Sequence, residues 1–125
     1  MQLEWNNLPA ACPSPRIVGG VLKWYAGDVF DLQVQLELTD QNGADIVFAP
    51  EHTVTFVFRD HRGTVVYHVS FCDIRENTVV LRFDEAVTAR FPGGKYSYDV
   101  IYQGIGRRTL AHNAPIYVEG GKAWE

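Results

Sequence analysis

The clearest pattern in the chain is an alternation of apolar and polar residues, which predicts β-strands with one buried face. Between residues 29 and 38 every second residue is apolar, namely Phe30, Leu32, Val34, Leu36 and Leu38. The residues between them are Asp31, Gln33, Gln35 and Glu37. Because successive side chains of a strand point to opposite faces, one face is expected in a core and the other in water.

A second alternating stretch follows a turn and starts with a tyrosine. Gly93 and Gly94 come directly after a proline and tolerate the backbone of a tight turn. The strand that follows places Tyr96 and Tyr98 on one face. This is the local pattern of the corner before strand F in immunoglobulin-like sandwiches, where the tyrosine hydroxyl bonds to the upstream backbone. Gly93, Gly94, Tyr96 and Tyr98 are therefore expected to determine the fold.

Shorter strands and turns fill the rest of the chain. Strands are predicted at 21–25, 53–59, 65–71, 78–83 and 114–118, and a helix-like stretch at 84–90 fits the crossover before the tyrosine strand. No long helical period occurs. The sequence predicts an all-β, immunoglobulin-like antiparallel β-sandwich of about seven to eight strands.

The 125 residues suit one domain with flanking segments. We expect an extended N-terminal arm over 1–20, a sandwich over 21–119 and a C-terminal tail over 120–125. Pro9, Pro13 and Pro15 oppose regular structure in the arm. The arm also carries apolar residues, so it either packs on its own domain or docks on a neighbouring subunit; these are Leu3, Trp5 and Leu8.

Charge and composition exclude some classes of partner. The net charge of −4 argues against nucleic acid, since phosphate binding needs a basic face. No apolar run approaches the length of about 20 residues that crosses a membrane. The start, residues 1–5, lacks the basic and apolar regions of a secretion signal, so we expect the protein in a cytoplasm. Cys12 and Cys72 allow one bridge at most, and reduced thiols are expected there.

Motifs for catalysis, metals or cofactors are missing from the sequence. The histidines have no metal-ligand spacing and are expected to be scattered on the surface; they are His52, His61, His68 and His112. No Asp-x-Asp-x-Asp run, nucleophile elbow or phosphate loop occurs. Gly104-x-Gly106 precedes a strand and is expected to form a hairpin turn. We expect no enzyme, no metal and no cofactor.

Several residues are candidates for contacts with a partner. Arg107 and Arg108 lie in an expected turn and can pair with an acidic surface. Flat aromatic rings stack on sugars, so Trp24 and Tyr25 suggest carbohydrate binding. Trp5 and Trp124 lie near the termini, where docking on a neighbour is an equal alternative.

Four motifs together resemble a known family. WYAGDVFDL at 24–32 is similar to the opening of small immunoglobulin-like domains in tailed-phage structural proteins. A Thr-Asp-x-x-Gly turn at 39–43, VTFVFRDHRG at 54–63 and FPGGKYSYDV at 91–100 continue the likeness. The chain thus resembles, over roughly 21–118, the N-terminal domain of baseplate upper proteins and related tail or prophage proteins.

The resemblance implies a structural role without catalytic residues. We expect a non-enzymatic protein of a phage or prophage particle, in the tail, the baseplate or an accessory position. Its partners would be other virion or tail proteins or further copies of itself, first in the host cytoplasm and then in the virion. The expected contact residues are Leu3, Trp5, Leu8, Trp24, Tyr25, Arg107, Arg108 and Trp124. The alternative is a carbohydrate-binding or host-adhesion sandwich.

Overall fold

The computed structural model describes residues 2–8, 16–18, 21–39, 42–104 and 106–120. These residues form nine strands and one short helix. The strands are β1 (Gln2–Leu8), β2 (Arg16–Val18), β3 (Val21–Tyr25), β4 (Phe30–Glu37), β5 (Thr53–Asp60), β6 (Val65–Cys72), β7 (Thr78–Phe83), β8 (Gly94–Gly104) and β9 (Gly106–Glu119). The helix α1 (Glu85–Thr88) lies between β7 and β8.

The strands form two sheets. One has three strands in the order β1-β4-β7, and the other has six in the order β2-β3-β9-β8-β5-β6. Every neighbouring pair is antiparallel except β3 and β9, which run parallel. The prediction of an all-β sandwich is confirmed. The parallel pair, which joins the early strand β3 to the last strand, was not predicted.

Parts of the expected N-terminal arm belong to the sandwich. The backbone of β1 pairs with β4, with Gln2 opposite Glu37 and Leu8 opposite Asp31. The short strand β2 pairs with β3. These pairings favour the alternative in which the arm packs on its own domain. Residues 9–15, with the three prolines, lie outside the described residues.

The core lies between the two sheets and has Trp24 near its centre. The indole ring is 0% exposed and lies 5.2 Å from Phe83, 5.3 Å from Phe30 and 5.5 Å from Phe91 between ring centroids. The expectation that Trp24 contacts a glycan or a partner is therefore wrong, because a buried ring cannot stack on an external molecule. The alternating residues of β4 and β8 are buried as the pattern predicts.

The turn before β8 has the predicted geometry. The Asp84 carboxylate caps α1 by accepting a hydrogen bond of 3.0 Å from the Val87 N–H. Tyr96 is 9% exposed, and its hydroxyl donates to the carbonyl oxygen of Pro92. A side chain at Gly93 would place its Cβ 2.7 Å from the Cα of Gly120, so this position requires glycine. Tyr98, two residues beyond Tyr96, is also buried.

Candidate interaction face

The outer face of the six-stranded sheet is formed by residues that alternate with buried ones. On β3, Lys23 lies between the buried Leu22 and Trp24. On β9, Tyr117 lies between two buried residues, and on β8 the same is true of Ser97. Strand alternation therefore directs these side chains away from the core. We call this surface the outer face.

A groove on the outer face is centred on Tyr117. The backbone register places Tyr117 opposite Lys23 on one side and opposite Lys95 on the other. The Lys23 ammonium lies 5.9 Å from the centroid of the Tyr117 ring, a distance at which the cation and the ring attract. The groove has a volume of about 410 Å³ and is lined by Val21, Lys23, Lys95, Tyr96, Pro115, Ile116 and Tyr117. We call it the tyrosine groove.

A smaller and more polar cavity adjoins the tyrosine groove. Its volume is about 290 Å³, and it is lined by Arg59, Asp60, His61, Gly63, Lys95, Tyr96, Ser97 and Asn113. Because Lys95 and Tyr96 line both depressions, the two form one continuous surface. We call the second depression the polar pocket. It presents both charge signs, whereas the tyrosine groove presents only cations among its charged residues.

The turn at the edge of the polar pocket is held by Asp60. Its carboxylate accepts hydrogen bonds from the Arg62 N–H at 2.9 Å and the Thr64 N–H at 3.0 Å. Desolvation raises the pKa of Asp60, but these two hydrogen bonds and the charges of His61 and Arg62 outweigh it and lower the pKa overall. The carboxylate thus stays ionised and keeps the β5–β6 turn in one shape.

A buried carboxylate fixes the inner wall of the polar pocket. Asp99 is 7% exposed and pairs with the Arg59 guanidinium. Its Oδ1 atom accepts a hydrogen bond of 2.8 Å from the Asn113 N–H and lies 3.2 Å from Nδ1 of His112. Asn113 has a φ of +50°, a left-handed conformation that this hydrogen bond supports. Asp99 therefore ties together three strands, β5, β8 and β9.

A buried histidine lies at the opposite end of the same sheet. His52 is 8% exposed, and its Nδ1 accepts a hydrogen bond of 3.1 Å from the Ala49 N–H. The Tyr102 hydroxyl lies 3.1 Å from the same nitrogen. The expectation of a surface histidine is wrong for His52, because Tyr102 reaches it from a strand about 50 residues away in sequence. His61, His68 and His112 are exposed, as expected.

The structure does not bring the predicted contact residues together. Tyr25, which is 38% exposed, shares the outer face with Lys23 through the alternation of β3. Arg107 is exposed, whereas the Arg108 guanidinium donates a hydrogen bond of 2.6 Å to the Thr39 carbonyl oxygen. Arg108 therefore has an internal structural contact.

The remaining predicted contact residues lie away from the outer face or outside the described residues. The backbones of Leu3, Trp5 and Leu8 lie in β1, in the other sheet. Trp124 lies outside the described residues. Lys23, Lys95 and Tyr117 were not predicted as contact residues, although their alternation with buried neighbours is a signal that could have identified them.

The described part of the chain shows no metal site and no membrane-spanning helix. No group of three or more His, Cys, Asp or Glu side chains in it could hold a metal ion. None of its helices has the length and apolar character needed to cross a membrane. Cys72 is an exposed free cysteine, and Cys12 lies outside the described residues.

Comparison with protein-family models gives no match to this chain, and comparison with curated protein sequences gives none either. We therefore infer the function from the sequence motifs, the sandwich and its outer face.

Proposed function

We propose that the chain is a non-enzymatic structural protein of a phage or prophage particle and binds another virion protein through the outer face. It would act in the tail, the baseplate or an accessory position, after assembly in the host cytoplasm. The observation that carries the proposal is the tyrosine groove, in which Tyr117 lies between two lysines on neighbouring strands.

The physical properties of the groove suit protein recognition. Tyrosine contributes a large contact area at a low cost in conformational entropy, and it is enriched among the residues that dominate binding energy. Tyr117 is 38% exposed, whereas the residues before and after it on β9 are buried, so the strand is anchored in the core on both sides of this ring. The flanking Lys23 and Lys95 favour a partner surface that places carboxylates around an apolar or aromatic centre.

The phage part of the proposal rests on the resemblance of the motifs, and their positions in the fold explain what these residues do in the sandwich. Gly27 and Gly63 both have a positive φ, a backbone conformation that glycine adopts readily, which explains why the motifs have glycine at these positions. The Phe91–Val100 motif forms the tyrosine corner and the start of β8. All of these positions specify the sandwich, and none of them carries reactive chemistry.

The proposal is tested by analysing particles. Phage or induced prophage particles from a strain that encodes the chain would be purified by density gradient and examined by quantitative mass spectrometry. We expect the chain at a fixed ratio to the major tail proteins. Its loss during purification, while the tail proteins remain, would contradict the proposal.

A second candidate function, carbohydrate binding, is favoured by one observation. Tyr25 and Tyr117 share the outer face, and the polar pocket beside the groove offers hydrogen-bonding groups of both charge signs. Aromatic rings beside polar groups are suited to the two faces of a sugar. A glycan array probed with the wild type and with Tyr117→Ala separates the functions: binding that depends on Tyr117, by a chain that is missing from purified particles, would favour adhesion.

A further inference from the structure

The tyrosine groove crosses three interior strands of the six-stranded sheet. In this sheet β3, β9 and β8 each have a strand neighbour on both sides. Lys23, Tyr117 and Lys95 lie side by side on these three strands. Because strand addition needs an open sheet edge, a ligand cannot bind in this groove by extending the sheet. The side chains of the groove therefore hold whatever binds there.

The fold leaves the two lysines of the groove without a carboxylate partner. Among the described residues, no Asp or Glu side chain lies within ion-pair distance of Lys23 or Lys95. Arg59 and Arg82, in contrast, each pair with an aspartate of the same chain. Two cations beside the ring of Tyr117 complement a ligand that has two carboxylates and an apolar part between them.

The acidic residues near the groove leave room for such a ligand. Of the described residues that line the tyrosine groove or the polar pocket, Asp60 alone is acidic. Its carboxylate is already engaged by the N–H groups of Arg62 and Thr64. Glu119, two residues beyond Tyr117 on β9, lines neither depression. An acidic segment over Tyr117 therefore meets the lysines before it meets a carboxylate.

The distance between the two lysines selects a backbone conformation for the ligand. β9 separates Lys23 from Lys95, so their Cα atoms lie two strand spacings apart, about 9.6 Å. Residues three apart in a polyproline II segment lie on one side of it, about 9.3 Å apart. Residues on one side of a β-strand are about 6.6 or about 13.2 Å apart. On one side of an α-helix the values are about 6.0 and about 10.5 Å, so polyproline II matches best.

We propose that the tyrosine groove binds an acidic polyproline II segment of the partner virion protein, with two carboxylates three residues apart. One carboxylate pairs with Lys23 and the other with Lys95, while the residues between them cover the ring of Tyr117. The backbone of such a segment stays solvated and forms no ladder, which suits a floor made of interior strands. This binding mode rests on the proposed function and deepens it by naming the kind of segment that the partner presents.

Titration of short peptides with the full chain, followed by fluorescence anisotropy, tests the binding mode. The main peptides are rich in proline and carry two aspartates three residues apart, with proline and leucine between them. A second set has the aspartates two residues apart, and a third has asparagine in place of both. A helical peptide with two glutamates seven residues apart represents the other conformation. All peptides carry the same dye, and we expect the main set to bind most tightly.

Substitutions in the chain show whether binding uses the groove. Lys23→Gln and Lys95→Gln are each expected to weaken binding of the main peptides by about twofold to fivefold, as for an exposed ion pair. Tyr117→Ala is expected to weaken it by about tenfold. Arg107→Gln is the matched control, because Arg107 is exposed, lines neither depression and loses the same charge. Its affinity should equal that of the wild type.

The binding mode is overturned if the main peptides bind no more tightly than the asparagine peptides, or if the lysine variants behave like Arg107→Gln. Tighter binding of the helical peptide, or of an oligogalacturonate used as an acidic sugar probe, overturns it as well. The proposed function fails separately. A chain that binds none of the peptides but stays at a fixed ratio in purified particles keeps its structural role and loses only this binding mode.

Discussion

The hydroxyl of Tyr96 donates a hydrogen bond of 2.5 Å to the carbonyl oxygen of Pro92, four residues upstream. The same ring lies 5.1 Å from the ring of Phe91 between centroids. The Tyr96 side chain therefore joins the end of the crossover to the start of strand β8, and its ring packs in the core. Since Lys95 and Tyr96 line both depressions of the outer face, this corner also shapes the candidate interaction surface.

Removing this hydroxyl is expected to weaken the fold measurably. Tyr96→Phe keeps the ring and loses the hydrogen bond to Pro92, so we expect a loss of about 1 kcal/mol in the free energy of unfolding. Urea denaturation followed by circular dichroism measures it. Tyr117→Phe, at an exposed position of β9, is the matched control and should change stability by less than about 0.5 kcal/mol. Equal effects of the two substitutions would show that the corner hydrogen bond does not contribute.

The corner also predicts a loss of stability at alkaline pH. Burial, and then the negative charge of Asp60, raise the pKa of Tyr96 above its ordinary value of 10.0. The folded chain therefore holds this proton more tightly than the unfolded chain does. The resulting stability is fully present below the unfolded pKa and is lost as pH rises through the raised folded value.

Measuring unfolding free energies from about pH 8 to about pH 11 for the wild type and Tyr96→Phe isolates this contribution from the other tyrosines. The difference between the two proteins should shrink as pH rises through the titration of Tyr96. A difference that stays constant over the whole range would show that ionisation of Tyr96 is not linked to folding.

Trp24 is expected to behave as a core residue. Trp24→Ala should lower the free energy of unfolding by about 3–5 kcal/mol, because the indole packs against three phenylalanines and its removal leaves a cavity among them. Trp24→Phe should cost much less, since the buried Nε1 has no hydrogen-bond partner among the described residues and its removal relieves that cost. Tyr25→Ala, at the half-exposed neighbouring position, is the control. Similar effects of Trp24→Ala and Tyr25→Ala on stability would contradict the burial of Trp24.

Asp99 is expected to stabilise the sheet under the polar pocket. Asp99→Asn keeps the shape but removes the charge that Arg59 and His112 face, so we expect a loss of about 1–3 kcal/mol in the free energy of unfolding. Asp73→Asn is the control, because Asp73 pairs with Arg75 at the surface and exposed pairs contribute little. A near-neutral Asp99→Asn would show that the network around Asp99 contributes nothing to stability.

The local parts of this fold are predictable from the sequence. The alternation in β4 is strict enough to assign its buried face, because a strand with one dry face has to separate apolar and polar residues. The turn chemistry at Gly93 and Gly94 likewise predicts the corner that Tyr96 completes. These features depend on neighbours within a few residues.

The candidate site depends on contacts between distant parts of the chain, and for that reason much of it was not predicted. Arg59 and Asp99 are 40 residues apart in sequence, and each alone is an ordinary polar residue on a strand. Lys23 and Tyr117 become neighbours only through the parallel pairing of β3 with β9. Trp24 lies in a strand of five residues, which is too short for alternation to decide whether an aromatic ring is a core residue or a binding platform.

Photo-crosslinking at position 117 shows whether the tyrosine groove binds a virion protein. A photoreactive phenylalanine analogue would replace Tyr117 in cells that produce particles. In a separate control variant, the same analogue would replace His68 on β6, an exposed position outside the tyrosine groove. We expect position 117, and not position 68, to become linked to one virion protein, whose peptide at the link is rich in Asp or Glu. Equal labelling at both positions, or links from position 117 only to non-virion proteins, would show that the tyrosine groove does not bind a virion protein.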